Sequence, residues 1–381
     1  MNGGALEGLK VLDFSTLLPG PMASLFLAEA GADVIKVERP GQGEEMRSYE
    51  PKWGRDSINF AMLNRGKKSL ALNLKDEADI KKIEPLLRFA DVVIEQFRPG
   101  VMKRLGLGYE DVRAIKPDII YCSISGYGQD GPNALRAGHD MNYIGDAGLL
   151  ALSSGPSATP VVPPALIADI AGGTYPAVFN ILMALLARNA GKGGAHLDIS
   201  MADNLFPFMY WAMGDGQAAG QWPGNGDALV TGGSPRYQIY PTADGKLLAA
   251  APLEQKFWTA FTDAINLDEV LRDDSIDQQK TTSTVAELIA RQPAAHWVAI
   301  FEEVDCCCTI VQTIEEAMQS THFKARGLFD RYISNSEGAE LVALPVPVDR
   351  SLRNQIKVAA APELGADNDA ILRSENQANN E

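Results

Sequence analysis

The sequence predicts a doubly wound α/β domain followed by a smaller α+β domain, and three observations lead to this fold class. Short Val- and Ile-rich runs alternate with helical stretches from residue 10 to residue 125, a pattern typical of βαβ units around a parallel sheet. A glycine- and proline-rich segment at 215–235 interrupts that pattern. After it, two apolar runs flank Asp244-Gly245, the turn signal of a β-hairpin.

The N-terminal elements follow in chain order. LKVLDFS is the first strand, and a helix over MASLFLAEAGA, closed by Gly31, leads to the second strand, DVIKVERP. Further strands are predicted at SLALNLK, DVVIEQF and DIIYCSISGYG, with helices over 76–89 and 109–114 between them. No G-x-G-x-x-G opens the first helix, which argues against an ordinary dinucleotide site.

The second half of the chain predicts longer helices and the smaller domain. One helix begins near Gly172 and ends near Asn189, where GKGG is a stop signal. Helices dominate from the hairpin to residue 320, and GAELVALPVPVDRS adds a last strand. We therefore assign a large domain to 1–215, completed by 325–381, and a small domain to 230–320. The crossing segments are 216–229 and 321–330.

Composition excludes several classes of protein. The net charge of −15 argues against binding to nucleic acid or to an anionic membrane surface. No basic stretch followed by an apolar run begins the chain, and the longest apolar run, YPAVFNILMALLA, is too short to span a bilayer. The sequence thus predicts a cytoplasmic protein without a membrane partner.

Cysteine usage indicates a reducing compartment and no metal site. Cys306, Cys307 and Cys308 are consecutive and cannot link distant loops. No CxxC pair or histidine cluster accompanies them, so we expect no bound metal. They are better explained as small side chains near the end of a strand.

Three acid/base candidates are identified by context. His139 lies in Gly-His-Asp and can exchange a proton near neutral pH, although a loop histidine is the simpler explanation. Asp169 follows an apolar run and precedes a long helix, where a helix-capping aspartate is common. Glu254 follows the hairpin, and by itself it fits a solvated first-turn glutamate.

Basic residues concentrate between 51 and 104, against the overall charge of the chain. Arg65, Lys67, Lys68 and Arg98 fall at turns between strands and helices. Loops at the carboxyl ends of parallel strands bind ligands in α/β sheets, and Arg and Lys suit phosphate groups there. Solvated surface charge is the alternative for each of them.

Taken together, these stretches resemble the family III CoA-transferases, the superfamily that includes an α-methylacyl-CoA racemase branch. The resemblance rests on motifs that run in family order from residue 8 to about 258. They include LKVLDFSTLLPGPMAS, DVIKVERP, LNRGKKSLALNLK, FRPGVMKRLGLGYEDV, GHDMNYI, ADIAGG, GGSPRYQIYPTADGK and PLEQKFW.

The resemblance implies a Rossmann-like large domain joined to a smaller domain by long crossings. It also implies a homodimer of two interlocked chains, with the site between the large domain of one chain and the small domain of the other. The substrate would be an acyl-CoA, with no cofactor beyond the CoA of the thioester. Residues in matching motifs, which the resemblance makes candidates for CoA contacts, are Arg39, Arg65, Lys67, Lys68 and Arg98.

Two chemistries occur within the superfamily, and the resemblance distributes them over the same residues. In the transferases, an aspartate at the position of Asp169 attacks the thioester and passes CoA to another carboxylic acid through an aspartyl-CoA thioester. In the racemase branch, the residues matching His139 and Asp169 act as two bases on opposite faces of the α-carbon. A glutamate at the position of Glu254 assists the histidine. Because all three residues are present, racemisation of 2-methylacyl-CoA is the leading expectation.

Two departures from the racemase pattern keep CoA transfer as the alternative. This chain reads AAPLE up to and including Glu254, where racemases usually have Gly-Ala-Ile-Glu. It also carries Arg236 within GGSPRYQIY, and an arginine near the acyl site could hold a carboxylate.

Overall fold

A sheet of six parallel strands forms the centre of the first unit of the protein. The computed structural model describes residues 3–153, 155 and 159–378, and the chain divides into two units. The strands are β1 (Lys10–Asp13), β2 (Asp33–Glu38), β3 (Lys68–Ala71), β4 (Val92–Glu95), β5 (Ile120–Ser125) and β6 (Ala195–Ser200). Their order is β3-β2-β1-β4-β5-β6, and every pairing is parallel. The predicted parallel α/β architecture is thus confirmed.

The strand order creates a place for a ligand. From β1 the chain adds strands first on one side, β2 and β3, and then on the other side, beginning with β4. Open α/β sheets bind ligands at such a switch point, outside the carboxyl ends of the strands. All residues of β4 and β5 are buried, as expected for strands covered on both faces. The loops after β1 and β4 therefore face the expected crevice.

Fourteen helices are formed within the described residues. In chain order they are α1 (Pro19–Glu29), α2 (Ile58–Asn64), α3 (Glu77–Phe89), α4 (Val101–Arg104), α5 (Tyr109–Ile115), α6 (Asp140–Asp146), α7 (Tyr175–Ala187), α8 (Tyr210–Ala219), α9 (Gln255–Ala264), α10 (Gln278–Ile289), α11 (Ala294–Glu303), α12 (Ile314–Gln319), α13 (Thr321–Ala325) and α14 (Asn368–Ala378). α1 begins with Pro19 because proline suits a first turn whose N–H groups lack helical partners. The Gly20 N–H of that turn instead donates to Gln96 Oε1 at 3.0 Å, so the start of α1 is tied to the loop after β4.

The helix that carries Asp169 begins with a π-helical segment. Ala168–Thr174 is π-helical and continues into α7, and a further π-helical stretch, Arg188–Lys192, follows. By length and composition the 25 residues Ala168–Lys192 could cross a membrane, a test that a core helix also passes. The apolar run alone was expected to be too short for this, but the helix extends beyond the run at both ends.

Glycines let the π-helical segment pack closely in the fold. A Cβ at Gly172 would lie 2.3 Å from the carbonyl oxygen of Met201, just beyond β6. Thr174 Oγ1 donates to the Pro19 carbonyl at 2.9 Å. The small residues beside Asp169 thus serve packing against β6 and α1.

The second unit comprises Gly148–Pro164 and Met209–Thr321, with a small antiparallel sheet. Its strands are β7 (Gln238–Pro241), β8 (Leu247–Ala250) and β9 (Cys308–Ile310), in the order β9-β8-β7. The hairpin predicted around Asp244-Gly245 is confirmed, because β7 and β8 pair antiparallel and Gly245 has φ +76°. Trp258, Phe261 and Trp297 contribute to the core beneath this sheet.

The C-terminal part of the chain returns to the first unit. Three short strands, β10 (Tyr332–Ser334), β11 (Glu340–Val342) and β12 (Val358–Ala360), form a separate sheet. At the start of α14 and just before it, side chains cover the free edge of β3: Asp367 Oδ2 accepts from the Ser69 N–H and Asn368 Oδ1 from the Ala71 N–H, both at 2.8 Å. An otherwise open sheet edge is therefore satisfied.

The boundaries of the two units differ from those expected. The first unit ends at Phe208 rather than residue 215, resumes at His322, and leaves 148–164 to the second unit. Part of the expected crossing segment packs on α8, because the Trp222 ring lies against Gly216. A Cβ at Gly216 would lie 2.3 Å from that ring. Glycine and proline content marked an irregular stretch there but could not show this packing.

Candidate active site

A cleft of about 640 Å³ lies in the first unit at the carboxyl ends of the sheet strands. We call it the Asp169 cleft. Its wall is formed by loops after β1, β4 and β5, by the segment before α6 and by the π-helical segment. The lining residues that matter here are Thr16, Glu45, Gln96, Phe97, Arg98, Ser125, Arg136, His139, Tyr143 and Asp169.

Asp169 has the electrostatics of a group that titrates near neutrality. Burial and the negative charge of Asp140 raise the pKa of its carboxyl, His139 opposes the rise, and the resulting pKa is about 6. A carboxyl whose pKa lies so close to working pH can accept and donate a proton. Its position in a π-helical segment fits a pattern often found at functional sites.

His139 reaches the same cleft from a different element. It is the residue before α6, it is exposed, and its backbone N–H donates to Asn142 Oδ1 at 3.0 Å. Tyr143, one turn into α6, holds the preceding loop through a 2.5 Å hydrogen bond from its hydroxyl to the Gly138 carbonyl. The structure therefore brings the two predicted groups, His139 and Asp169, to one cleft.

Asp140 joins the two elements that carry these groups. It is 5% exposed, and its Oδ1 accepts the Asp169 N–H at 3.0 Å. The Asp140 side chain therefore contacts the segment that carries Asp169. Neighbouring side chains point in different directions, so Asp140 can do this while His139 lines the cleft. One buried carboxylate thus ties the π-helical segment to the start of α6.

A second cleft of about 390 Å³ adjoins the first through shared residues. We call it the Arg39 cleft. Thr16, Glu45 and Phe97 line both clefts. Its apolar wall suits an aromatic ring, and two cations, Arg39 and Lys75, line it as well. The apolar lining residues are Phe14, Val37, Leu72, Leu74, Phe97, Val101 and Leu105.

Two of the five cations expected to contact CoA line these clefts. Arg39 is exposed in its cleft, where its Nε donates to the Gly43 carbonyl at 2.8 Å. Arg98 is exposed in the Asp169 cleft and makes no ion pair with any described residue. Both have donors that can turn to an anionic ligand.

Arg65 is engaged inside the protein instead. Its guanidinium is buried, with Nε donating to Glu29 Oε1 at 2.8 Å and Nη2 to the Leu344 carbonyl at 2.7 Å. Nη1 donates to the Met62 carbonyl at 2.9 Å. These partners leave Arg65 a fold-stabilising role, so we do not place it in the CoA site.

The two neighbouring lysines are directed away from the clefts as well. Lys67 is buried, its Nζ lies 2.8 Å from Asn64 Oδ1 and 2.9 Å from the Pro21 carbonyl, and burial lowers its pKa to about 8. Lys68 pairs at 2.7 Å with Asp33, the first residue of β2. Neither lysine lines the Asp169 cleft or the Arg39 cleft.

Glu254 and Arg236 belong to the second unit. Glu254 is exposed and immediately precedes α9. Arg236, which we expected could hold a substrate carboxylate, is instead paired with Asp274 at 2.7 Å and lies over the ring of Trp258. Its donors are thus taken up within this unit, which weakens the argument for a carboxylate-binding Arg236.

Sequence reasoning missed several residues of the clefts. Asp140 was noted only as a neighbour of His139, and Lys75, Phe97 and Arg136 were not singled out. The usable signal was topological, since Lys75 and Phe97 follow β3 and β4 closely. Within the described residues, no group of three or more His, Cys, Asp or Glu side chains could hold a metal ion.

Comparison with known proteins identifies the family. The family model described as CoA-transferase family III matches residues 6–368. The chain belongs to family III of the CoA-transferases. It is similar to human α-methylacyl-CoA racemase, at 33% identity over 90% of this chain and 86% of the relative.

Family III transferases are similar to nearly the same degree. Acetyl-CoA:oxalate CoA-transferase of Acetobacter aceti is 31% identical over 91% of this chain and 89% of that protein. Mouse succinyl-CoA:glutarate CoA-transferase is 30% identical over 94% and 83%. A crystal structure of a CAIB/BAIF family protein from Brucella suis matches with a TM-score of 0.83 at 27% identity, covering 98% of this chain and 100% of that one. The protein is therefore an acyl-CoA enzyme of this family, in which racemases and transferases are both its relatives.

Proposed function

We propose that this family III enzyme racemises 2-methylacyl-CoA thioesters by moving a proton between the two faces of the α-carbon. The observation that carries the proposal is that His139 and Asp169, on different elements, line one cleft while the pKa of Asp169 lies near 6. An imidazole and a carboxyl group that line one cleft can act as base and acid in a single proton transfer.

The two clefts accommodate the two parts of an acyl-CoA. The apolar wall of the Arg39 cleft suits the adenine ring, and Arg39 and Lys75 suit its phosphates. The shared residues Thr16 and Phe97 lead from there into the Asp169 cleft. The thioester would then lie beside His139 and Asp169.

The proton steps balance without an external reagent. Neutral His139 removes the α-proton, and the electrons of the C–H bond move into the enolate of the thioester. Protonated Asp169 then donates its proton to the opposite face, which leaves the histidine charged and the aspartate ionised. The histidine then releases its proton to water and the aspartate takes up a proton from water, which resets both groups for the next turnover. Backbone N–H groups at the start of α6, beside His139, are candidates to stabilise the enolate oxygen.

The test is to incubate one epimer of a 2-methylacyl-CoA in deuterated water. We expect deuterium at the α-carbon and loss of optical purity with the thioester intact. His139→Gln and Asp169→Asn should each lower the rate by orders of magnitude, and Asp130→Asn, an exposed loop residue, is the matched control. Absence of exchange in the wild type, with the thioester unchanged, refutes racemisation.

CoA transfer is the second candidate, and Arg98 is the observation that favours it. This cation lines the Asp169 cleft without an ion pair to a described residue, so it could hold the carboxylate of an acid acceptor. The Asp169 carboxylate would attack the thioester carbonyl, expelling CoA thiolate and forming a mixed anhydride. The thiolate would then attack the aspartyl carbonyl and release the first acid.

Hydroxylamine distinguishes this second candidate. An acylated or CoA-bearing Asp169 should become hydroxylamine-sensitive when acyl-CoA alone is added, and mass spectrometry should locate the modified residue. No modification, together with no CoA exchange into any added acid, counts against transfer. The two tests together separate the activities.

We also propose that the enzyme acts as a homodimer through the exposed face of α7. Phe179, Leu182, Met183 and Leu186 recur at helical spacing, and Phe179 and Leu186 are 50% and 70% exposed. Contiguous apolar surface of this kind is typical of protein–protein interfaces. In the resemblance, the partner chain supplies the glutamate matching Glu254, so a dimer would complete the site.

Sedimentation measures this state directly. The wild type should sediment as a dimer, and Leu186→Asp should shift it toward monomer and lower activity. Glu84→Gln, at an exposed position of α3, is the control that should remain dimeric. A monomeric wild type with full activity would refute the dimer proposal.

A further inference from the structure

A row of polar side chains precedes the Gln96–Arg98 turn, whose residues line the two clefts. It begins at Glu95, the last residue of β4, which is 4% exposed. Ser123 lies opposite Glu95 on the adjacent β5, and its hydroxyl lowers the pKa of the Glu95 carboxyl. Ser123 Oγ also lies 3.0 Å from His196 Nε2 on β6. Three neighbouring strands thus contribute one linked set of polar side chains, which the proposed proton transfer does not use.

Aromatic rings hold the far end of this row in place. The His196 ring stacks on Tyr109 with centroids 4.9 Å apart and meets Tyr121 edge-on at 5.5 Å. Burial lowers the pKa of His196, which favours its neutral form. If Ser123 donates to the carboxylate, the neutral imidazole must donate from Nε2. The row then has one direction, from His196 through Ser123 to Glu95.

The near end of the row holds the backbone of the cleft loop. Glu95 Oε2 accepts the Phe97 N–H at 2.8 Å. Gln96, in the same turn, accepts the Gly20 N–H from the start of α1. Phe97 lines both clefts, and Arg98 lines the Asp169 cleft. The conformation of the Gln96–Arg98 turn therefore shapes both parts of the proposed acyl-CoA site.

We propose that Glu95, held by Ser123 and His196, is a positioning residue for acyl-CoA: its carboxylate fixes the Gln96–Arg98 turn, and its protonation loosens that turn and weakens binding. This inference rests on the proposed acyl-CoA site. The physical reason is that an N–H donates a stronger hydrogen bond to a carboxylate than to a neutral carboxyl group.

The surroundings of Glu95 make this protonation accessible. Burial raises the pKa of Glu95 to about 7, against the hydrogen bonds from Ser123 and Phe97, and the charge of Asp198 adds to the rise. Glu95 forms no ion pair with any described residue. The other titratable and charged groups around it, or around the small cavity of about 270 Å³ beside it, are Arg98, Lys103, Glu110, Asp111, Tyr121, Cys122 and His196.

The experiment compares Glu95→Gln with the wild type in CoA binding by calorimetry at pH 6 and pH 8. CoA is the probe, and Glu84→Gln, an exposed glutamate paired with Arg88, is the control. We expect Glu95→Gln to bind CoA about fivefold more weakly than the wild type at pH 8 and about equally at pH 6. Titration of the CoA phosphates and of Asp169 affects both proteins alike, so it drops out when their CoA affinities are compared at the same pH. Equal affinity at pH 8 would overturn the inference.

Stability provides a readout that separates positioning from a merely structural role. Because the pKa of Glu95 is raised on folding, its ionisation costs stability at pH 8, and this cost is absent below pH 4.5, its ordinary value. Glu95→Gln should therefore unfold at the same or a higher temperature at pH 8 while binding CoA less well. A residue with only a structural role would lose stability and binding together.

Hydrogen exchange tests the turn without any ligand. After correction for the intrinsic pH dependence of exchange, the segment that follows Glu95 should exchange faster in Glu95→Gln and in Ser123→Ala than in the wild type at pH 8. Unchanged protection in both variants overturns the inference whether or not CoA binds. A wild type that binds no CoA at either pH refutes the proposed function instead.

Discussion

Replacement of Asp140 by Asn tests how the site sets the acidity of Asp169. In the wild type, burial and the charge of Asp140 together raise the pKa of Asp169 from 3.8 to about 6. Asparagine keeps an oxygen that can accept the Asp169 N–H, now 3.0 Å from Asp140 Oδ1, but removes the charge. Since burial remains, we expect the pKa of Asp169 in the variant to lie between 3.8 and about 6.

The size of the effect is bounded by the same two values. A rise from 3.8 to about 6 corresponds to roughly 3 kcal/mol at 1.36 kcal/mol per pKa unit. This is the net of burial and Asp140, which raise the pKa, and of His139, which lowers it, so Asp140→Asn should recover only part of it. Because the folded-state pKa is raised, ionised Asp169 destabilises the protein above pH 6 and not below pH 3.8. The variant should therefore be more stable than the wild type at pH 8 and no more stable at pH 3.5.

The assay is the pH dependence of kcat/KM for α-proton exchange, together with urea unfolding at the two pH values. In the direction where Asp169 is the base, the acid limb should move to lower pH in Asp140→Asn. Asp140→Ala, which also loses the N–H acceptor, should lower activity at every pH. An acid limb in Asp140→Asn that stays in place or moves to higher pH would show that Asp140 does not control Asp169.

Three further outcomes follow from the contacts of individual side chains. Arg65→Met should destabilise the fold by about 1.5–3 kcal/mol in urea unfolding, because buried Glu29 loses one of its two arginine partners and keeps Arg331. CoA affinity of the folded protein should stay unchanged; weaker CoA binding by a stable variant would restore Arg65 to the site. Arg39→Ala and Lys75→Ala should each weaken CoA binding by roughly 10- to 100-fold in calorimetry, as loss of a charge-assisted hydrogen bond implies, and unchanged affinity would place the nucleotide elsewhere. Arg236→Met should lower the unfolding free energy but leave the preference among acyl groups unaltered, since its guanidinium is held by Asp274; a lost preference for dicarboxylic acyl-CoA would contradict this.

The sheet was the most predictable part of the molecule. Runs such as DVVIEQF and DIIYCSISGYG are rich in Val and Ile, and they form β4 and β5, whose residues are all buried. The helix predicted over 76–89 is formed as α3, with Asp76 just before it accepting the Ala78 N–H. The π-helical segment could not be predicted, because its pattern of apolar residues does not differ from that of an ordinary α-helix. The sequence does not show what packs against Gly172, and the structure places the Met201 carbonyl there.

The charged residues were harder to place, for a physical reason. A cation at a turn looks the same in sequence whether it faces solvent or an internal acceptor. Arg65 is held by Glu29, 36 residues away, and by the Leu344 carbonyl, 279 residues away, and no local pattern reports such partners. Arg98 and Arg39 follow strands that end at the clefts, and this topological position is what distinguishes them from Arg65.

The arrangement of Asp140 and Asp169 bears on which chemistry the site favours. CoA transfer needs Asp169 as a carboxylate, which predominates at pH 7.5 whether its pKa is 3.8 or about 6. Proton transfer needs Asp169 in its protonated form in one direction, and a rise of about 2 pKa units increases that form roughly 100-fold at such a pH. A second buried carboxylate beside the first is therefore useful to racemisation and close to neutral for transfer. Asp140→Asn should accordingly slow proton delivery from Asp169 far more than it slows any acylation of the same carboxylate, and an equal loss in both reactions would remove this argument for racemisation.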